Sequence, residues 1–506
     1  MQKGRTKIIC DLIPTGVIEK DIKIIPKIIK ATSSLHDKNV ADINRLFDYY
    51  YNQTDIRVKE KKQQPEINNK IAVDYASISI NTINGYSFSN SLTFSSRKTD
   101  NDNEMKAFKD SLDEDNYNHK LRKLTLNYGI CGLAYKYIIA TSKDEINNGI
   151  YYKTVTDLDP TKIYCVYDNT LEQNKTCAIS YCDIKEYDDD YNVKSTKRVY
   201  TVWTKWHKWE FSNENGKLRN RKFVIKGESY DACSLMYNQI PIVEYRSLDG
   251  TGYFELAMDI INAVNAIASS RVDDVQQSVD YIITLRDIDT ESDGALSRIK
   301  QCLKEGILSF KSIQGLSIQP EINVLDTRLN QQEVETLQQF LCDKVEEVLN
   351  IPNRNTKASG GDTGSAVESR NGFRSLENKA GIVTDDIIAG ENDALKVIFA
   401  ICNNILDCPF KNMNSSDVEI KDNRNKYENL SNSSTAYSTL RSAGMNDKTA
   451  LEITRLVPDA ITVSKINETK KQEQVELDLA NEIKRTTSIN KLNNQTNSTE
   501  SDSNTQ

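Results

Sequence analysis

The sequence predicts an α+β protein in which helices predominate. Three observations indicate this fold class: helical apolar periodicity in residues 37–128, short β-rich segments in residues 133–245, and long helical patterns beyond residue 253. Apolar residues that recur every three or four positions are typical of amphipathic helices, and β-branched or aromatic segments between Asp, Asn and Gly turns are typical of strands. Helices followed by a run of strands favour an α+β domain.

The N-terminal quarter is predicted to be mainly helical. Residues 1–34 contain isoleucine clusters without a clear pattern. We expect Gly85 to end the second helix and the acidic run 113–115 to interrupt the third. The predicted elements are helices at 37–52, 68–84 and 101–128 and a strand at 91–94.

A zone of strands follows Gly129 and Gly132. Basic residues alternate with Trp206 and Trp209 in this zone, as on some nucleic-acid-binding surfaces. The strand pattern there favours an amphipathic edge strand instead. The predicted strands are 133–139, 150–155, 162–167, 177–182, 199–206, 222–225 and 242–245.

Beyond Gly250 two long helices flank a small insert. Residues 253–279 hold the helical period without Gly or Pro, and 282–330 are predicted to form a βαββ-like insert. An acidic amphipathic helix then covers 331–350. We expect it to end at Asn350-Ile351-Pro352, because proline cannot continue the hydrogen-bond ladder and restricts the residue before it.

A polar loop separates this acidic helix from a last long helix. The loop, residues 351–365, contains two cations, Arg354 and Lys357, and the helix is predicted over 366–412. Glycines nine residues apart lie on opposite faces of a helix. Close packing and built-in kinks both explain the three glycines of this helix: Gly372, Gly381 and Gly390.

The C-terminal part is polar. A strand is predicted at 418–420, and polar helices at 427–441, 447–456 and 463–484 are predicted to form a separate bundle. Residues 486–506 have almost no apolar side chains, and we expect this tail to be disordered.

The composition excludes several classes of protein. The chain has 506 residues, 27% of them charged, with net charge −8 and mean hydropathy −0.58. No apolar run approaches the roughly 20 residues that span a membrane, and Asp11 and Pro14 interrupt the basic start before a signal-peptide core can form. Ten cysteines without a CxxC pair and three histidines favour reduced, buried thiols over metal sites.

Familiar catalytic motifs are absent. The chain has no GxxxxGK[ST], GxSxG, HExxH or GxGxxG motif. The Gly-rich segment 359–365 opens a helix but lacks the lysine of a phosphate loop. The acidic runs 113–115 and 188–190 lack calcium-loop spacing, which favours solvated turns. We therefore expect no enzymatic activity, no catalytic or metal-binding residues and no cofactor.

Several short segments follow one another in an order that characterises a known family. They are Asn69-Lys-Ile-Ala-Val-Asp-Tyr75, Thr82-Ile-Asn-Gly-Tyr86, Gly129-Ile-Cys-Gly-Leu-Ala-Tyr-Lys-Tyr137, Ile240-Pro-Ile-Val-Glu-Tyr245, Asn262-Ala-Val-Asn265, Ser269-Ser-Arg-Val-Asp-Asp274, Leu349-Asn-Ile-Pro352, and Gly360-Gly361 with Gly364-Ser-Ala366. In this order the chain resembles the portal proteins of long-tailed double-stranded-DNA bacteriophages.

The resemblance implies a ring, usually of twelve subunits, at one capsid vertex in the virion, assembled in the host cytoplasm. The implied partners are double-stranded DNA in transient contact, the terminase large subunit, a head-completion or adaptor protein, and the major capsid and scaffolding proteins, with no membrane. The implied regions are a wing (1–250), a stem helix (251–281), a clip (282–330), a second stem helix (331–350), a tunnel loop (351–365), a kinked tunnel helix with part of the wing (366–412), a crown (413–485) and the tail (486–506).

The resemblance also implies two contact sites. In the clip the candidates for motor contact are Arg298, Lys300, Lys304 and Lys311, although a solvated helix face explains each of them as well. In the tunnel loop the candidates for DNA contact are Asn353, Arg354, Asn355, Thr356, Lys357 and Ser359.

Charge counts fit this interpretation. Residues 253–280 and 331–350 each carry five acids and one base, a net charge of −4, whereas the tunnel loop has two bases and one acid, a net charge of +1. A ring of such helices repels phosphates, and the loop can contact them weakly and reversibly. Two alternatives remain open: a nucleic-acid-processing enzyme with an unrecognised site, and a minor capsid or scaffold protein without a channel.

Overall fold

The structure of the chain is a computed structural model. The structure describes residues 4–61, 65–98, 101–187, 191–214, 216–225, 227–277, 282–286, 297, 301, 321–325, 331–352, 373–424, 430–454, 456–457 and 460–501. The fold is α+β with helices predominating, as predicted. The chain divides into two compact units. Unit 1 comprises Met1–Ala41, Thr82–Gly250 and Asn378–Gln506, and unit 2 comprises Asp42–Asn81 and Thr251–Glu377.

The elements of the first half, in chain order, are β1 (Ile8–Ile9), α1 (Ile18–Tyr50), α2 (Tyr75–Phe88), β2 (Thr93–Ser96), α3 (Asp102–Glu114), α4 (Tyr117–Cys131), β3 (Leu133–Ala140), α5 (Lys143–Asn147), β4 (Tyr152–Val155), β5 (Ile163–Tyr167), β6 (Lys175–Tyr187), β7 (Val193–Thr204), β8 (His207–Glu214), β9 (Lys217–Asn220), β10 (Phe223–Ile225), β11 (Glu228–Tyr230), β12 (Cys233–Ser234) and β13 (Ile242–Arg246). Those of the second half are α6 (Met258–Gln277), β14 (Ile282–Arg286), β15 (Glu321–Leu325), α7 (Gln331–Leu349), α8 (Phe373–Cys402), β16 (Val418–Lys421), α9 (Leu430–Ser442), α10 (Asp447–Thr454) and α11 (Ala460–Ser501).

The largest sheet of unit 1 has the strand order β1-β5-β6-β7-β8-β12, with β9 also paired to β8. Strand β1 runs parallel to β5, and the other pairs are antiparallel. Ile25, Ile28 and Ile29 of α1 are buried in one apolar cluster with Trp209 and Phe211 of the sheet. This packing accounts for a helix that begins at Ile18 and continues through an interior proline, which the isoleucine clusters alone did not predict.

Strand β8 is an interior strand of this sheet. It pairs with β7, β9 and β12, and Trp209 is fully buried. The prediction of an edge strand here was therefore wrong. Alternation of charge and aromatic side chains is common to edge strands and to strands that cover a core with one face, and the sequence pattern could not separate them.

The predicted helix 101–128 is two helices, α3 and α4. Asn116 adopts a left-handed conformation between them, with φ of 55°. The carboxylate of Asp115 is buried beside this turn and accepts hydrogen bonds from Lys120 at 2.5 Å and from the backbone and hydroxyl of Thr154. The acidic run therefore ends the helix through a specific side-chain contact. Strand β2 pairs with β16, which joins two predicted strands separated by more than 300 residues.

Helix α8 is held in unit 1 by a buried ion pair. Glu391 lies 2.5 Å from the ammonium group of Lys136 on β3, and both side chains are almost completely buried. The hydroxyl of Tyr245 on β13 donates to the same carboxylate oxygen at 2.9 Å. The rings of Tyr117 and Tyr245 each lie 5.4 Å from the Lys136 ammonium, which places aromatic faces around the charge.

Close packing explains Gly390. A Cβ atom at this position would lie 2.3 Å from the ring of Tyr245, and α8 runs without interruption from Phe373 to Cys402. At Gly381 the nearest atom, on Arg424, lies 3.3 Å from a Cβ position. Gly372 lies outside the described residues.

Three predicted boundaries of helices or of the disordered tail differ from the structure. Gly85 does not end a helix, because α2 continues to Phe88. The helix predicted from residue 253 begins at Met258, after a 3-10 turn at Glu255–Ala257. Disorder was expected from residue 486, whereas α11 extends to Ser501. No Gly or Pro interrupts this segment, and a helix needs only local hydrogen bonds, so low apolar content does not prevent it.

We expect Gly390→Ala to lower the free energy of unfolding of unit 1 by about 1–3 kcal/mol, because the added methyl group overpacks the contact with Tyr245. The measurement is urea unfolding followed by tryptophan fluorescence, since all three tryptophans lie in unit 1. The matched control is Gly85→Ala, a helical glycine of unit 1 with open space around it. This control should raise stability by about 0.5–1 kcal/mol; a similar gain for Gly390→Ala would contradict close packing.

Candidate functional site

The candidate site of unit 2 is built on a row of polar side chains along α6. Asn265, Ser269 and Asp273 are spaced by four residues and are all buried. Each accepts a hydrogen bond from the backbone of the preceding segment 69–73, in which every second residue donates. The bonds join Val73 N to Asn265 Oδ1 at 2.8 Å, Ile71 N to Ser269 Oγ at 2.9 Å, and Asn69 N to Asp273 Oδ1 at 2.7 Å.

The two spacings match. Four residues of α-helix rise about 6 Å, and two residues of extended chain rise about 6.5–7 Å. The extended segment can therefore bond to the helix as it would to a neighbouring strand. We call this arrangement the polar ladder. It replaces the first turns of the helix predicted at 68–84, because the backbone donors of residues 69, 71 and 73 are taken by α6.

Asp273 is the charged end of the polar ladder. Burial opposes ionisation of this carboxyl, but the hydrogen bonds from the backbone and amide of Asn69 outweigh burial, and nearby Lys61 adds to them, so the pKa of Asp273 is lowered. The Lys61 ammonium lies 3.6 Å from the second carboxylate oxygen. The carboxylate is thus stabilised in its ionised form.

Helices α6 and α7 are joined by polar contacts at one end. The Arg271 guanidinium donates to Gln338 at 2.7 Å and to Gln331 at 3.2 Å. The amide of Gln331 donates to Asp274 at 2.6 Å. Arg271 also lies 3.7 Å from the exposed carboxylate of Glu335, a contact that solvent screens.

Helix α7 ends as predicted, and its last turn has a defined geometry. Asn350 is left-handed, with φ of 56°. Its backbone N–H donates to Glu347 O at 3.2 Å, and that of Ile351 donates to Glu346 O at 2.9 Å. This pair of bonds is a Schellman motif, with Ile351 buried and Pro352 following. The direction in which the chain leaves α7 is therefore fixed.

The surface of α7 has a buried side and an exposed side. The buried side contains residues 338, 341, 345 and 349, of which Val345 and Leu349 are buried. The exposed side is mixed: Leu337 at 51%, Phe340 at 54% and Val348 at 40% exposure lie there with the exposed acids Glu333, Asp343 and Glu347. Residues seven apart differ by only about 20° around a helix, so Glu333 and Glu347 share the stripe of Phe340.

In the insert between α6 and α7 the structure describes two strands and the single residues 297 and 301. Strands β14 and β15 pair antiparallel, with Ile282 opposite Leu325 and Arg286 opposite Glu321. The four clip candidates and the six tunnel-loop candidates named above all lie outside the described residues. The structure therefore describes the helices that lead to both segments but not these ten residues.

The polar ladder was not predicted from the sequence. A signal was present: Asn265, Ser269 and Asp273 interrupt the apolar pattern of α6 at regular four-residue steps. Such a row on a buried face requires partners, because buried polar groups are almost always hydrogen-bonded. The extended partner is far away in sequence, so the pattern alone could not identify it.

Comparisons with known proteins identify a family. The sequence profile described as "Phage portal protein, SPP1 Gp6-like" matches residues 30–476. A search of curated proteins found no match. Within the described ranges, no helix is both long and apolar enough to cross a membrane. Among the same residues, no group of three or more His, Cys, Asp or Glu side chains is placed to hold a metal ion.

We expect Asp273→Asn to weaken the polar ladder by about 1.5–3 kcal/mol at neutral pH, the range for hydrogen bonds to a charged group. Hydrogen exchange of the amides at 69, 71 and 73 should then be about 10- to 100-fold faster. Because the pKa of Asp273 is lowered in the folded state, its stabilisation is present at neutral pH and is lost as the pH falls through that lowered pKa.

The difference between wild type and Asp273→Asn should therefore shrink as the pH falls through the lowered pKa of Asp273. The control is Asp259→Asn, which removes an exposed carboxylate from the same helix. Equal exchange in wild type and Asp273→Asn at neutral pH would refute the ladder.

Proposed function

The chain belongs to the phage portal protein family, and from that premise we propose that it forms the ring at one capsid vertex through which DNA is packaged and ejected. The observation that carries this proposal is the family match, which covers residues 30–476. Membership implies a homo-oligomeric ring located in the virion capsid, with a structural and non-enzymatic role. We propose twelve subunits.

Exposed apolar residues of α7 support a ring. Leu337, Phe340 and Val348 lie on the side of this helix that the other described residues leave partly exposed. Burying a large apolar side chain gains about 1.5–3 kcal/mol. We propose that the apolar residues of this mixed side contact the neighbouring subunit, and that Asp343 and Glu347, towards one edge of the same side, are turned to the channel.

The acidic residues of α7 support the proposal of a channel in which DNA is not bound tightly. Glu333, Asp343 and Glu347 recur in every copy of α7, so a ring carries them as repeated bands of negative charge. Such bands repel phosphates and keep the nucleic acid moving. The tunnel loop, with net charge +1, supplies the weak and reversible contact through Arg354 and Lys357.

The regions take their proposed roles from the family. We assign the wing to 1–250, the stem helices to 251–281 and 331–350, and the clip to 282–330. The remaining assignments are the tunnel loop at 351–365, the tunnel helix at 366–412 and the crown at 413–485. The clip, through Arg298, Lys300, Lys304 and Lys311, is proposed to dock the terminase large subunit and later a head-completion or adaptor protein. Assembly is proposed to involve scaffolding and major capsid proteins.

Electron microscopy of the purified protein tests the ring. We expect wild type to form rings with a central hole, and Leu337→Asn with Phe340→Asn to shift the protein to smaller species, because two side chains worth about 1.5–3 kcal/mol each no longer favour assembly. The control is Leu256→Asn, a 67% exposed leucine of the same unit outside α7. Native mass spectrometry counts the subunits.

Each outcome has a meaning. Absence of rings under assembly conditions would overturn the portal proposal, and a monomer with divalent-metal-dependent activity on nucleic acid would favour an enzyme. Rings without a central hole would favour another capsid component. Intact rings in the double variant would reject the α7 face as a subunit contact while leaving the portal proposal in place.

Packaging of DNA tests the tunnel loop. We expect Arg354→Ala with Lys357→Ala to lower packaging at least about tenfold in moderate salt, because both phosphate-binding cations of the loop are lost. Rings should remain intact. The matched control is Arg219→Ala with Lys222→Ala, which removes two exposed cations of the proposed wing. Normal packaging by the loop variant would count against DNA contact by this loop.

A further inference from the structure

A groove in unit 1 lies between α3, β2 and α11. Its volume is about 580 Å³. The buried side chain of Met105 lies in its floor, and Ile466 on α11 is 48% exposed at its wall. The Lys465 ammonium contacts both carboxylate oxygens of Asp102, at 2.7 and 2.8 Å, and so ties the two helices that form the walls.

The groove is bordered mainly by cations. Lys106 and Lys109 come from α3, and Lys465 and Lys470 come from α11. The acids of the lining are Asp102, which pairs with Lys465, and Glu473. Four cations and two acids leave the groove with net charge +2 in a chain whose net charge is −8. Positive charge is thus concentrated at this groove against the overall sign of the protein.

One buried hydroxyl in the groove has no hydrogen-bond partner among the described residues. Ser95 lies on β2, the residue is 3% exposed, and its Oγ bonds to no group in the part of the chain that the structure describes. Ser95 is also part of the groove lining. An unpaired hydroxyl in a protein interior is unfavourable, and native structures keep few of them unless a ligand or water completes the site.

We propose that this lysine groove binds an acidic, amphipathic segment of another protein, with an apolar side chain on the floor and carboxylates on the lysines. The apolar floor and the lysine rim together match such a segment, since one partner must satisfy both. A nucleic-acid backbone fits less well, because phosphates and sugars gain little from Met105 and Ile466. The inference rests on the groove residues of unit 1 alone and does not depend on the proposed channel.

Fluorescence polarisation with a defined peptide tests the groove. The probe is a fluorescein-labelled helical peptide rich in glutamate with two leucines four positions apart, and its partner probe has glutamine in place of every glutamate. We expect the acidic peptide to bind the full chain and the glutamine peptide not to bind. Lys106→Glu with Lys470→Glu should weaken binding at least about tenfold, since two attractive charge contacts become repulsive.

The matched control is Lys38→Glu with Lys448→Glu, two exposed lysines of unit 1 outside the groove. This control should change affinity less than about twofold. Ser95→Ala should weaken binding of the acidic peptide by a smaller factor without altering the circular dichroism spectrum. This variant tests the groove in place of the charge-reversal variant if that variant folds poorly. Equal loss in the control, or no binding of the acidic peptide, would overturn the proposal. Displacement of the acidic peptide by a duplex oligonucleotide that binds more tightly would assign the groove to nucleic acid instead.

Discussion

The polar ladder is the constraint on which unit 2 depends. Asn265 and Ser269 are fully buried, and buried polar groups destabilise a fold unless they are hydrogen-bonded. The extended segment 69–73 meets this requirement because a two-residue step in an extended chain matches a four-residue step in a helix. Asn262 extends the polar contacts of α6 by bonding to Tyr49 at the end of α1. The position of α6 is thereby specified by directional bonds as well as by apolar packing.

Unit 1 also contains buried charged groups that need partners, and here a single ion pair supplies them. Lys136 and Glu391 are almost completely buried, and each charge would be very costly without the other. The Tyr245 hydroxyl gives the carboxylate a second donor, while its ring occupies the space that Gly390 leaves free. One tyrosine thus fixes both the rotation of α8 and its distance from the sheet. The pair Gly390-Glu391 therefore marks a position where α8 lies close to Tyr245 of β13.

Local signals in the sequence predicted elements whose causes are also local. Pro352 predicted the end of α7. The helical period predicted the bounds of α6 and α7 to within a few residues. Elements decided by distant contacts were not predicted. Residues 69–73 have a helical pattern but are extended, because α6 takes their backbone donors. Likewise, the start of α1 depends on a sheet formed more than 130 residues later. The candidate contact residues of the clip and tunnel loop could be named only from the family resemblance.

The structure also changes how the charges of the two long helices should be counted. Both segments have net charge −4 in sequence, but their acids differ in environment. On α6, Asp273 is buried in the polar ladder and Asp274 accepts from Gln331, so neither contributes fully to an exposed field. On α7, Glu333, Asp343 and Glu347 remain exposed on one side. The equal sequence charges of the two segments therefore have different surroundings: on α6, Asp273 and Asp274 hold the fold and Asp259 is exposed, whereas α7 presents Glu333, Asp343 and Glu347 to solvent.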